Sequence, residues 1–105
     1  MKVNKIEHIV MIEVLRQYGA LYNKYLIDIT RNILSMLYPL EKYQKYKNDA
    51  YRKMIDALTR QGILKKEKAG KYVIVALNED VTIEYPKEWD RTVRIIRYIL
   101  RNMVI

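Results

Sequence analysis

The stretch Asn48-Asp-Ala-Tyr-Arg-Lys-Met-Ile-Asp-Ala-Leu-Thr-Arg-Gln-Gly-Ile-Leu-Lys-Lys66, followed after two residues by Ala69-Gly-Lys-Tyr-Val-Ile-Val-Ala-Leu77, decides the fold. At 100° per residue Ala50, Tyr51, Met54, Ile55, Ala57 and Leu58 fall on one arc, with Asp49, Arg52, Lys53, Asp56, Thr59 and Arg60 opposite. Carrying that helix further back would put Lys47 on the apolar arc. The helix is therefore expected from Asn48, a favoured cap residue, with Asp49 in a first turn whose dipole favours an anion. Gly62 supplies a left-handed stop and Ile63 the apolar residue that follows such a cap. The texture then turns to strand. Ile63–Glu67 and Tyr72–Leu77 flank the four-residue turn Lys68-Ala-Gly-Lys71, and the tip is basic, with Lys65, Lys66, Lys68 and Lys71 against Glu67 alone.

Towards the N-terminus, Val3 to Gln17 contains neither Gly nor Pro and predicts a helix. Val3, Ile6, Val10 and Val14 form one stripe, yet Ile9, Ile12 and Leu15 point elsewhere, so this helix needs cover on more than one side. A second copy of the chain is an expected source of that cover. His8 falls between Ile12 and Leu15 on the wheel and reads as a partly buried structural residue. Gly19 ends the helix, Ala20–Tyr22 reads as a short extended piece, and a second helix is expected over Asn23–Leu37, with Asn23 as its cap. Its stripe is Tyr22, Leu26, Ile29, Ile33 and Leu37, and Pro39 marks the exit. Tyr38 to Lys47 is a connection with room for one helical turn.

Beyond the hairpin, Asn78–Lys87 is an acidic connector with a short strand expected at Val81–Ile83. A last helix follows over Glu88–Met103. Trp89, Val93, Ile96, Leu100 and Met103 recur there at 4-3-4-3 spacing, and Ile95, Ile99 and Val104 widen the arc. Coming after the hairpin has closed the domain, this stripe is expected to be a dimer seam, joined by Ile9 and Ile12 from the first helix.

The chain has 105 residues, enough for one core, and carries 20 Lys and Arg against 12 Asp and Glu, a formal charge of +8. Residues 47–77 hold eight basic and three acidic side chains, whereas residues 78–105 hold five of each. A basic middle segment suits an anionic partner, nucleic-acid phosphate being the commonest, or else a solvated lysine-rich face. The longest apolar run, Tyr72–Leu77, is far too short for a bilayer, and Glu7 and Glu13 interrupt any signal-peptide pattern. The absence of Cys excludes disulfides, thiolate nucleophiles and thiolate zinc sites, and a lone His excludes a multi-histidine metal site. Nuclease chemistry needs clustered carboxylates. Only Glu79, Asp80 and Glu84 cluster, and they read as a solvated linker. No enzyme, cofactor, metal or small-molecule ligand is expected.

The order helix, extended piece, helix, connection, helix, hairpin resembles a winged helix-turn-helix domain. The residues that carry the resemblance are the two quoted runs: a helix ending in Gly62, the Ile63-Leu64 pair opening the hairpin, and a Gly-containing basic turn before a Tyr-and-Val strand. The resemblance covers roughly residues 3–77 and implies an α+β, mostly α fold of three helices plus a β-hairpin wing. Residues 1–77 would be the DNA-binding core, 78–87 a connector, and 88–105 an added dimerisation helix. The richness in Ile, Lys and Tyr, with no Phe, resembles small winged-helix regulators of crenarchaeal viruses and plasmids, which implies a cytoplasmic protein, in the host if viral. One departure stands out. Helix-turn-helix units join their helices by three or four residues, and here about ten separate Leu37 from Asn48. Either the second helix ends sooner, a small helix fills the gap, or the pair is not a standard unit.

Helix chemistry points to double-stranded DNA independently of the family. A helix fits the major groove with its N-terminal turns at the base edges. Asn48 suits adenine, Arg52 suits guanine, and Lys53 lies beside them. Lys45, Lys47 and Arg60 suit phosphate. By resemblance Lys66, Lys68 and Lys71 would lie along the backbone or in the minor groove. Arg52 equally suits a surface ion pair with Asp49 or Asp56. Among Tyr43, Tyr46 and Tyr51, packing is the general expectation, with Tyr46 singled out as a contact because it precedes the helix. The expected function is sequence-specific duplex binding by a homodimeric transcriptional regulator; the alternative is a winged-helix module that docks another protein in an assembly or polymerase-associated complex.

Overall fold

A computed structural model describes residues 1–39 and 41–103. Helix α1 (Ile6–Tyr18) is apolar on nearly every side, and Ile6 and every residue from Ile9 to Leu15 are buried. Such a helix has to be central. Helix α2 (Asn23–Leu37) and the C-terminal helix α5 (Asp90–Asn102) both pack on it, and the sheet closes over it through its middle strand. Strands β1 (Ala20–Tyr22), β2 (Leu64–Ala69) and β3 (Tyr72–Leu77) form an antiparallel sheet in the order β1-β3-β2. Leu21 pairs with Val75 and Leu64 with Leu77, so the inner face carries Leu21, Leu64 and Val75 into the core, and Tyr22, Tyr72 and Ile74 lie on the outer face.

The ten-residue gap is filled by a small helix, α3 (Glu41–Lys45), ahead of α4 (Asn48–Arg60). Gly19 and Gly62 end α1 and α4 at φ 83° and 80°. At Gly62 the amide of Ile63 donates to the Leu58 carbonyl and that of Gly62 to the Thr59 carbonyl, both at 3.0 Å. Ile63 and Leu58 are both fully buried beneath this double-bonded stop, which aims the chain from α4 directly into β2.

Several boundaries depart from the sequence reading for local reasons. Asn23 and Asn48 are the first helical residues rather than caps: Tyr22 and Lys47 precede them, and neither supplies a side-chain cap bond. Helix α1 starts at Ile6, because Val3 is drawn into a bond with the Glu84 carbonyl. Val81–Ile83 forms no strand. The connector instead meets the N-terminal residues through a single parallel bridge between Lys2 and Glu84. The hairpin turn is two residues tighter than expected. Ala69 pairs with Tyr72, leaving only Gly70 and Lys71 in the loop, and a positive φ of 64° at Gly70 with none at Lys71 is the type II′ combination. A 3₁₀ turn (Lys87–Trp89) precedes α5.

The residues expected at a dimer seam lie within the chain. Ile9, Ile12, Val93, Ile96 and Leu100 are buried in the chain's own core, and Trp89 and Met103 pack against it. Val104 lies outside the described residues. The cover that α1 requires is intramolecular, and α5 is held onto it by a polar clamp. The carboxylate of Glu13, 2% exposed, accepts from Arg97 Nε and the Tyr85 hydroxyl, both at 2.7 Å, and from Arg16 at 3.2 Å. Glu13 belongs to α1, Arg97 to α5 and Tyr85 to the connector, so one buried charge ties three segments together.

Candidate nucleic-acid interface

Helix α4 buries Tyr51, Ile55 and Leu58, leaving Asn48, Asp49, Arg52, Lys53 and Arg60 exposed. Its start is fixed from behind. Arg31, on α2, donates from Nη2 to the Tyr46 carbonyl at 3.1 Å and to Asn48 Oδ1 at 2.6 Å, and its guanidinium lies 4.9 Å above the Tyr51 ring. From below, the Tyr51 hydroxyl donates to the Tyr43 carbonyl at 3.1 Å, and Tyr43 donates to Glu7 at 3.2 Å. Tyr38, Tyr43, Tyr46 and Tyr51 follow one another ring to ring, with centroids 5.7 to 6.1 Å apart. This row links α3 to the end of α2 and to α4, and the bond to Glu7 ties it to α1. Burial, then the neighbouring charge of Glu7, pushes the Tyr43 phenol up to about 12. Burial likewise raises the Tyr51 phenol. Tyr46, the tyrosine expected to touch DNA, is half-buried with its ring edge-on to both neighbours.

The first turns of α4 and the hairpin meet at one place. Asn48 and Arg52 from α4, Asn23 and Lys24 from the start of α2, and Lys71 and Tyr72 from the hairpin line an open cleft of ≈ 280 Å³. Asn23 Oδ1 is buried there without a hydrogen-bond partner. Lys66 and Lys68 share the sheet face that turns to α4, and Lys66 bridges to Asp56 on the helix at 2.5 Å. No family model, curated protein or solved structure matches this chain.

The ten residues expected at the interface divide into groups. Asn48, Arg52 and Lys71 come together in the cleft, with Lys66 and Lys68 beside them on the hairpin. Three of the cations are already paired: Arg52 with Asp49 at 2.9 Å, Lys66 with Asp56, and Lys45 with Glu41 at 2.6 Å. Arg52 remains 54% exposed, and a solvated pair of that kind contributes about 0.2–1 kcal/mol, little enough for a phosphate to displace. Among the described residues Lys47, Lys53, Arg60, Lys68 and Lys71 take part in no ion pair. Arg60 is eight residues beyond Arg52, about 12 Å along the helix, and does not line the cleft.

Sequence reasoning missed Lys24, Asn23, Arg31 and the tyrosines that are exposed. Tyr22, Tyr25 and Tyr72 stand open beside the cleft at 41%, 54% and 51%, whereas the tyrosines near the third predicted helix are mostly interior. The missing signal is long-range: β1 joins β3, and only that pairing places Tyr22 beside Tyr72. His8 is half-buried on α1, and burial, reinforced by Lys5, lowers its pKa. Among the described residues no group of three or more His, Asp or Glu is placed to hold a metal, and no helix is long and apolar enough to cross a membrane.

Proposed function

We propose that this chain is a winged-helix protein that binds double-stranded DNA sequence-specifically and acts as a transcriptional regulator. The observation that carries the reading is the meeting of the exposed first turns of α4 with the basic hairpin in one open cleft. A helix of this size enters the roughly 12 Å major groove, and its N-terminal residues reach the base edges. Arg52 and Lys53 read bases. Asn48, with Oδ1 held by Arg31, still offers its two amide protons and one lone pair. Lys47, Lys68 and Lys71 lie against phosphate and add salt-sensitive affinity. In a homodimer two α4 helices would enter major grooves one turn apart, and the apolar side chains left outside α5 for such a pairing are Ile95 and Tyr98.

The test is selection from a random duplex pool, followed by titration of the selected sequence at several salt concentrations. The pair R52A/K53A should abolish preference for the selected sequence. The pair K68A/K71A should weaken all sequences alike and flatten the log–log salt slope by about 0.9 for each phosphate that is no longer neutralised. Unchanged binding in all four substitutions would overturn the mechanism. A second reading, a module that docks another protein, draws on the exposure of Ile95 and Tyr98 on the far side of α5. It predicts no salt-dependent duplex binding.

A further inference from the structure

Three tyrosines on the outer side of the sheet serve no packing need that would leave them so open. Tyr22 in β1 and Tyr72 in β3 have ring centroids 5.1 Å apart, and Tyr25, in the first turn of α2, stands 6.0 Å from Tyr22. The rings are tilted by 41° and 44°, so they do not satisfy one another's faces. All three are more than two-fifths exposed. Cations surround them. Lys71 Nζ lies 5.3 Å from the Tyr72 ring centroid, and Lys24 and Arg52 line the adjoining cleft with Tyr22 and Tyr72. Glu67, the acidic residue on the same sheet face, is further from the hairpin tip and bounds the cationic region on that side.

Exposed aromatic faces alternating with cations are the combination that binds single strands: bases stack on the rings and the backbone follows the charges. A duplex keeps its bases stacked on one another and has no use for open rings at this position. We propose that Tyr22, Tyr25 and Tyr72, with Lys24 and Lys71, form a stacking site for unpaired bases next to the duplex site, so that the preferred ligand is DNA with a single-stranded tail or a locally opened segment. The site extends the duplex reading, on which it rests, and it captures bases displaced at the edge of the helix that α4 holds.

The experiment compares three fluorescein-labelled probes by anisotropy with the full chain: the selected blunt duplex, the same duplex with an eight-nucleotide thymidine tail, and the tail alone. The tail should raise affinity roughly tenfold or more. Tyr25→Leu, outside the cleft, should remove most of that gain while leaving blunt-duplex binding within about twofold, and Tyr72→Trp should retain the gain. A tail carrying 2-aminopurine should be quenched on binding by the wild type and not by Y72L. No gain from the tail, with the blunt duplex bound, overturns the stacking site alone. Binding of the tail without the blunt duplex overturns the duplex reading and supports the stacking site. Binding of neither overturns both.

Discussion

Ahead of the first turn of α4, whose amides receive no side-chain cap from Lys47, the guanidinium of Arg31 grips the Tyr46 carbonyl and the Asn48 side chain together. Both bonds leave one nitrogen, Nη2, which is aimed by the stacking of the flat guanidinium on Tyr51 and by Nη1 facing Asp28 at 3.6 Å. Lysine would keep the charge and lose that planar seat. R31K should therefore cost about 1–2 kcal/mol in urea denaturation and lower affinity for the selected duplex, because Asn48 is no longer anchored. Tyr43 behaves differently. Its neutral phenol is favoured in the fold, with a pKa pushed up to about 12 from 10.0, so above pH 10 the unfolded chain gives up that proton first. The stability it confers is fully present below pH 10 and declines as pH rises from 10 through 12. Thermal melts across that range should show a fall that is shallower in Y43F, measured relative to each protein's own value at pH 9. Neither residue is readable in sequence for its role. Arg31 lies 17 positions before Asn48 on a polar face like any other, and the Tyr43 packing depends on α3 being folded between two distant helices.

Elements are more legible than their edges. The periodicity of residues 48–60 and the Gly62-Ile63 stop are local, and α4 with its turn into β2 follows from them; the bounds of α2 are likewise written in its own stripe. Asn48 finds its side-chain partner, Arg31, outside its own helix, and Asn23 Oδ1 is buried with no hydrogen-bond partner, so neither asparagine caps its helix. The C-terminal helix shows the sharper limit. A 4-3-4-3 stripe states that an apolar face will be covered, and nothing within the stripe says by what. The deciding residue is Glu13, read in sequence as a polar interruption of α1, which in the fold receives Arg97 and Tyr85. E13Q keeps the shape and removes the charge. Because Arg16 and Arg97 are partly solvated they can be rehydrated, so the cost should be about 1–3 kcal/mol rather than that of a fully buried pair. Hydrogen exchange should show α5 opening more often in E13Q. Unchanged protection of α5 would mean that the clamp is not what seats it.

For the whole molecule, the charge division along the chain becomes a division in space. Residues 47–77, which hold the excess of basic side chains, build α4 and the hairpin, and the neutral C-terminal part lies against α1. With extents of 36 × 29 × 25 Å, one copy spans about a single turn of duplex, so its contacts should be confined to one side of the molecule. On the proposed function, this side is formed by the start of α4 and the hairpin. The most direct measurement is a titration of ¹⁵N-labelled protein with the selected duplex, following backbone amides by NMR. Shifts concentrated at residues 47–54 and 66–72, with α1 and the outer side of α5 unmoved, are the predicted result. Shifts centred on Ile95 and Tyr98, with α4 and the hairpin silent, would contradict it.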